Sequence, residues 1–442
     1  MDYKDMDIDD IMPIGMIGNK LRSQKINSID VIGSAYLNKQ NKLITQQQWG
    51  YDSALMKGSQ ARADILFSDN EDIKENVSVW SINHYLGLNR SEEMMEAAIE
   101  TIKTYGTGSG TSAMSGGHSE LHKELQQKFS SIWNKEESLL YPTGFTANLG
   151  AISGLMKGTS RDNLILLDEE CHASIIDGCK LSGARFLRFS HNDINDLKYK
   201  LYKYQHSFSN IMVVVESIYS MSGDSAPLVE ITKLKQEHNF IFYVDESHSF
   251  GFYGDEGEGL CYELNILNDV DVLMTTLSKS CASIGGVIST SHKYCAMLKW
   301  SSSYLYQAAI PAHDVAVILK ALDIIKSPKL RNELKEKTAY LRSRLRTASF
   351  DIGSGNSSII PVYISDDALL KQMENALIKN GIYTVAIQYP IVKAHTSRFR
   401  FIVNVSHTYQ DIDNLVDVLV KIRNQFGDST YNPITTQLSY SL

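Results

Sequence analysis

The chain alternates between short, unbroken apolar runs that end on polar residues and longer stretches in which apolar positions recur every three or four residues. Asn163 to Asp168, Met212 to Glu216, Ile241 to Asp245 and Val272 to Met274 are runs of the first kind. They read as parallel strands covered on both faces. Glu92 to Tyr105 and Ser119 to Ile132 carry the helical period, so residues 76–327 read as a large α/β domain with a mostly parallel central sheet. Pro328 opens a long charged helix through Arg346. Beyond it, strands at Ile359 to Ile364 and Arg398 to Val405 mix with helices at Ala368 to Lys379 and Asp411 to Phe426. That mixture predicts a smaller α+β domain over residues 328–427. Residues 1–75 are polar and read as an N-terminal extension, with an acidic start through Asp10 and a short helix within Ile14 to Ser28 that crosses a subunit boundary. Residues 428–442 read as a tail.

Composition narrows the function classes. A length of 442 residues suits two α/β domains and an extension rather than one small core. The formal charge of −8, without a lysine-arginine block, argues against a nucleic-acid surface. Five cysteines without motif spacing fit a reducing cytoplasm better than a disulfide framework. No apolar run is long enough for a membrane span, and the acidic start lacks the basic residues of a signal peptide. A cytoplasmic protein is expected.

The candidate chemistry sits where the apolar runs stop. Asp245 follows one run and Lys279 comes soon after the next, at the strand ends where open α/β sheets put their ligands. Taken singly, Asp245 reads equally as a helix N-cap and Lys279 as a snorkelling surface lysine. Together they are what pyridoxal phosphate needs: a carboxylate for the pyridine nitrogen and an amine for a Schiff base. Other strand ends add to the set. His172 offers a flat ring to stack on a cofactor, Ser220 a hydroxyl for a phenolic oxygen, and the turn at Gly144-Phe145 a helix start whose amides suit a phosphate. No metal is assigned. Cys171 and Cys281, close to this set, read as buried inert thiols.

Six motifs in this order carry a family resemblance: Tyr105 to Gly110, Gly144-Phe145, His172 to Gly178, Tyr219 to Asp224, Asp245 to His248, and Thr276 to Lys279 followed by Gly285-Gly286. From Asn83 to Thr408, roughly three quarters of its length, the chain resembles the α-oxoamine synthases. These are fold-type I, aspartate aminotransferase-like pyridoxal phosphate enzymes that include 5-aminolevulinate synthase, 2-amino-3-ketobutyrate ligase, 8-amino-7-oxononanoate synthase and serine palmitoyltransferase. The resemblance implies that Lys279 carries the Schiff base, Asp245 pairs with the pyridine nitrogen and His172 stacks on the ring. It further implies that His248 and Ser220 bond the phenolic oxygen, and that Thr276 with the amides of Gly144 and Phe145 holds the phosphate. Arg400, spaced from His407-Thr408 as in aminolevulinate synthase and ketobutyrate ligase, and Asn83 are implied as contacts of the amino-acid carboxylate. Arg398, one pleat away, reads as an exposed edge charge.

The implied activity joins a small amino acid, whether glycine, alanine or serine, to an acyl thioester on coenzyme A or a carrier protein. Carbon dioxide is usually lost and an α-amino ketone results. A homodimer is implied as well. Ordinary aminotransferase chemistry and a catalytically silent partner subunit are the alternatives; Ser220-Met221 and the Thr276 to Lys279 context oppose the first, and Lys279 with Asp245 and His172 opposes the second. Four places depart from the family pattern, one of them Ser280 to Ile284, which replaces a small and aromatic pattern after the lysine. The loop Gly110 to Gly117 is one residue shorter and lacks an arginine, Gln307-Ala308 replace a hydroxyl that reaches a neighbouring subunit's phosphate, and Gln388 replaces an arginine of the oxononanoate and palmitoyl enzymes.

Overall fold

Strands form here because both of their faces find apolar partners. In the computed structural model, which describes residues 14–45, 53–67 and 73–426, three strands come first: β1 (Ala54–Leu55), β2 (Arg62–Leu66) and β3 (Ile73–Val79). Seven more make the central sheet: β4 (Glu137–Tyr141), β5 (Asn163–Asp168), β6 (Arg185–Phe189), β7 (Asn210–Glu216), β8 (Ile241–Asp245), β9 (Val272–Thr276) and β10 (Gly286–Thr290). Their spatial order is β4-β10-β9-β8-β7-β5-β6. All pairings from β9 to β6 are parallel, and β10 alone runs against its neighbours. The central sheet is mostly parallel, as the apolar runs predicted.

Alternate residues of these strands feed two separate cores. Leu164, Leu166, Val213, Val215, Phe242, Val244 and Leu273 enter one, while Ile165, Leu167, Met212, Val214, Tyr243, Val272 and Met274 enter the other. Because successive side chains point to opposite faces, covering both faces demands an unbroken apolar run. Polar residues are thereby pushed to the strand ends.

The remaining strands are β11 (Ile359–Tyr363), β12 (Ile382–Tyr383), β13 (Ala386–Ile387) and β14 (Arg398–Ile402). Here β11, β14 and β13 form an antiparallel sheet, and β12 lies parallel to β3, completing the sheet β1-β2-β3-β12. The strands β1, β2 and β3, polar in sequence, are therefore tied through β3 to the C-terminal strand β12. The long helix beginning at Pro328 extends to Thr347, with Ser327 as its N-cap. A short helix spans Ile17–Ser23, and a second, Ile29–Thr45, went unread in the polar extension. The acidic stretch before residue 14 and the tail from residue 428 lie outside the described residues.

Between Tyr383 and β14 runs the segment that delivers residues 80–85. Trp80 N–H donates to Tyr383 O and Ile402 N–H donates to Trp80 O, both at 2.8 Å, while Val405 N–H donates to Tyr85 O at 2.9 Å. The Trp80 ring stacks on His407, with centroids 3.9 Å apart.

Gly286, at the start of β10, marks where the sheet meets the helix Gly144–Leu155 most tightly. A Cβ there would lie 2.6 Å from Thr143 O and 2.8 Å from Gly144 Cα, both of them backbone atoms. Gly286→Ala is expected to destabilise the fold by about 1–3 kcal/mol, read as a lower urea midpoint at unchanged slope. An unchanged midpoint would mean that the helix start yields freely.

Candidate active site

The ends of β7 and β8 bring two carboxylates side by side. Glu216 and Asp245 are register partners, and Asp245 is in turn paired with Met274 of β9. Asp245 is buried but well held: Asn148 Nδ2 donates to Oδ2 at 2.8 Å and Ser247 N–H to Oδ1 at 2.9 Å. Asn148 is itself fixed, because Tyr243 O–H donates to its Oδ1 at 2.7 Å and its Nδ2 also reaches Ser174 Oγ. A buried carboxylate with this many partners is an oriented acceptor. Glu216 accepts the His172 N–H at 2.5 Å. Burial raises its pKa to about 8, and the Asp245 charge pushes the same way.

Lys279 faces these carboxylates. Its Nζ lies 2.7 Å from His248 Nε2, and His248 Nδ1 lies 2.6 Å from the Tyr85 hydroxyl. Burial lowers the lysine pKa to about 8, against the upward pull of Asp245 and Glu216. Lys279 therefore yields the free amine, the form a nucleophilic lysine needs, at a far lower pH than an exposed lysine does. His248 is held neutral by burial first and then by the charges of Lys279 and Arg400.

A cradle for an anion lies alongside. The helix Gly144–Leu155 starts at Thr143, whose hydroxyl accepts Thr146 N–H at 3.0 Å. The first intrahelical bond comes from Ala147 N–H to Thr143 O, so the amides of Gly144 and Phe145 precede it. Only glycine fits at 144, since a Cβ would lie 2.6 Å from Thr276 Cβ. Thr276 Oγ1 is 2.8 Å from Ser278 Oγ, leaving a cluster of hydroxyls beside the helix start. His172 caps the next helix, Ala173–Ser182, by accepting Ser174 N–H at Nδ1, and its exposed ring stands edge-on to Phe145 at 6.4 Å.

Arg400 NH2 donates to Asn83 Oδ1 at 2.9 Å, although the two are far apart in sequence. The Arg400 Nε is buried with no acceptor among the described residues. An orphaned guanidinium donor suits an incoming carboxylate. Arg398, expected at an exposed edge, is instead 4% exposed. Its NH1 donates to Met221 O at 3.3 Å and to the Tyr363 hydroxyl at 3.1 Å, because β14 lies in the middle of its sheet and both its faces are covered.

Lys279, Asp245, His248, His172, Thr276, Gly144 and Phe145 thus line one end of the sheet, with Asn83 and Arg400 delivered from the β3 and β14 side. Ser220 is buried nearby in the turn after β7 but makes no side-chain hydrogen bond among the described residues. That turn is anchored by His191, which lies 2.9 Å from Asp168 Oδ1 and 3.0 Å from Asp224 Oδ2. Burial alone would lower the His191 pKa, but the two carboxylates outweigh it and lift it to about 10. Sequence reading gave no role to Tyr85, Asn148, Glu216 or His191; polar residues inside apolar surroundings were the available signal. Cys171 and Cys281 are buried, and burial raises both thiols, Cys281 to about 12. The two departing loops pack together: Ser109 Oγ donates to Ala309 O at 2.8 Å and Ala309 N–H to Thr111 O at 3.0 Å.

The donor set fits pyridoxal phosphate: an amine, a facing carboxylate, a ring left exposed, and a helix start with no room for a Cβ. Comparison with known proteins agrees. The family described as aminotransferase class I and II matches residues 75–419. A serine palmitoyltransferase of Sphingobacterium spiritivorum is 35% identical over 351 residues, 79% of this chain and 87% of the relative. An 8-amino-7-oxononanoate synthase of Thermoanaerobacter pseudethanolicus is 32% identical over 352 residues, 78% of this chain and 88% of the relative. Among solved structures, serine palmitoyltransferase from S. paucimobilis with bound PLP-myriocin superposes with a TM-score of 0.83 at 25% identity, covering 90% of this chain and 99% of that one.

Asp245 raises the Lys279 pKa, so its removal has a definite sign. In cofactor-free Asp245→Asn, the pH midpoint for acylation of Lys279, followed by mass spectrometry of the labelled peptide, is expected below the wild-type value of about 8. A midpoint that rises would mean that the two groups do not face each other in solution. For His191, whose folded pKa lies above its ordinary value, the added stability is full below about pH 6.5 and fades as the pH approaches 10. His191→Gln should therefore lower the urea midpoint more at pH 6 than at pH 10; equal losses at both would sink the ion-cluster account.

Proposed function

We propose, for a chain that belongs to the aminotransferase class I and II family and within it to the α-oxoamine synthases, the following division of labour among its residues. The protein is a pyridoxal phosphate-dependent acyltransferase that condenses an amino acid with an acyl thioester. When bound, the cofactor supplies an electron sink for the pair left on Cα of the amino acid. Lys279 holds the cofactor, and Asp245 keeps a proton on its ring nitrogen. His172 covers one face of the ring. Thr276 and the amides of Gly144 and Phe145 take the phosphate, while His248 and Ser220 bond the phenolic oxygen.

The observation that carries this reading is the pairing of a depressed-pKa amine with an oriented, buried carboxylate, beside a guanidinium that has a donor to spare. Arg400 and Asn83 bind the carboxylate of the small amino acid. Lys279, released as a free amine, then moves the proton at Cα, and its pKa near 8 suits it both to take and to return that proton near neutral pH. His248, neutral with a single N–H, shares that donor between the phenolic oxygen and the thioester carbonyl. Cα bonds to the acyl carbonyl carbon as the thiol departs, and the usual loss of carbon dioxide then leaves an α-amino ketone. The loops at Gly110 to Gly117 and Gln307-Ala308 shape the acyl side, and their departures from the family pattern suit a chain-specific acyl group. Glycine, alanine and serine are the candidate amino acids; the name of the S. spiritivorum relative favours trying serine first. The acyl group comes on coenzyme A or a carrier protein. No helix among the described residues is long and apolar enough to cross a membrane. A cytoplasmic homodimer is proposed, with residues 76–327 as the cofactor domain, 328–427 as the small domain and the segments 1–75 and 428–442 as extension and tail.

The test is a visible absorption scan of the purified protein with pyridoxal phosphate, titrated with glycine, alanine, serine and threonine beside a Lys279→Ala control. A band that depends on Lys279 and moves with one amino acid, followed by thiol release on adding an acyl thioester, is expected. A 2-oxo acid without thiol release would make the protein an aminotransferase, and no Lys279-dependent band would make it a silent subunit. Arg400→Lys keeps the charge but loses the planar fork. It is expected to raise KM for the amino acid roughly 30- to 100-fold, corresponding to about 2–3 kcal/mol, with little change in KM for the thioester.

A further inference from the structure

Tyr85 has no part in the roles above, yet it forms the far end of a buried chain: its hydroxyl is 2.6 Å from His248 Nδ1, and His248 Nε2 is 2.7 Å from Lys279 Nζ. Tyr85 and His248 are 1% and 6% exposed. The tyrosine is pinned by its backbone, with its N–H donating to Asn83 O and its O accepting Val405 N–H, both at 2.9 Å. Its ring meets His248 nearly edge-on.

Hydrogen counting then orients the chain. Burial pushes the phenol pKa far up, so Tyr85 keeps its proton throughout the working range. His248 Nδ1 is the only hydrogen-bond partner of that hydroxyl among the described residues. If the phenol donated elsewhere, a buried donor would go unsatisfied. The imidazole is neutral, since burial and, after it, the nearby Arg400 guanidinium oppose its charging. A neutral ring whose Nδ1 accepts must carry its single proton on Nε2. Nε2–H then points at Lys279 Nζ, which can accept only as the free amine.

We propose that Tyr85 is a positioning residue that donates its phenolic proton to His248 Nδ1 and so fixes the imidazole as the Nε2–H tautomer. In the cofactor-free protein that tautomer favours the free-amine form of Lys279, the form that takes up the cofactor. In the loaded protein it presents a donor, rather than a lone pair, to the phenolic oxygen. The second consequence rests on the function proposed above; the first does not. Without the phenol, His248 can adopt the opposite tautomer, in which the Nε2 lone pair accepts from a protonated Lys279. Other charges facing the lysine, namely Asp245, Glu216 and Arg400, are unchanged by that switch.

Two measurements on cofactor-free protein test this. In wild type labelled with 15N-histidine, the nitrogen shifts of His248, assigned by loss of its signals in His248→Gln, are expected to report protonation at Nε2; protonation at Nδ1 overturns the proposal without requiring any variant of Tyr85 to fold. In Tyr85→Phe with a wild-type circular dichroism spectrum, the pH midpoint for Lys279 acylation is expected to rise by about one unit, and an unchanged or lower midpoint overturns the proposal. Loaded with pyridoxal phosphate, the same variant should show a shifted pH titration of the visible band. If wild type takes up no cofactor, the function reading fails while the tautomer result stands independently.

Discussion

Everything at the site depends on the parallel register of β7, β8 and β9. Each strand is buried on both faces, so it has no place for a charge along its length and releases its polar residues together at its carboxyl end. Register then makes neighbours of residues that sequence separates. Glu216 stands beside Asp245, and the chain leaving β9 returns Lys279 to the same edge. A one-residue slip of β8 would turn Asp245 toward the other face and dissolve the set.

Concentrating charge in a dry place has electrostatic consequences. Burial raises the Glu216 pKa, and the adjacent Asp245 carboxylate adds to the rise. Desolvation works in the opposite direction on Lys279, bringing it toward neutrality. The fold thus prepares a nucleophilic amine without any residue of unusual chemistry. Asn148 contributes by fixing the carboxylate that must stay an acceptor, and Tyr243, a core residue of β8, holds Asn148 from behind. Core packing and site electrostatics therefore share the same side chains.

A second set of contacts reaches this edge from the C-terminal part of the chain. Backbone bonds between Trp80 and Ile402, and between Tyr85 and Val405, carry Asn83 to Arg400 and Tyr85 to His248. Arg400 and Lys279 are thereby supplied by two sheets whose relative placement is set by residues 79–85. Arg398, buried against Met221 and Tyr363, ties β14 to the turn that bears Ser220. Movement between the two sheets would act on the Arg400–Asn83 and Tyr85–His248 contacts at once.

Local pattern was enough for the strands and for most helices, because apolar runs and helical periods are properties of neighbouring residues. It placed Asp245, Lys279, His172 and Ser220 at strand ends, and motif order gave the family. It did not reveal that β3 pairs with β12, since β3 is solvated over half its length and carries no buried-strand signature. Nor did it give Arg398 its burial, which follows from β14 lying between two other strands. The sequence by itself determined which residue types arrive at the carboxyl edge of the sheet. Tertiary structure alone decided which of them touch: Tyr85 and His248 are 163 positions apart and Asn83 and Arg400 317. Hydrogen bonds over such separations depend on the register and packing of the sheets, which no local pattern encodes.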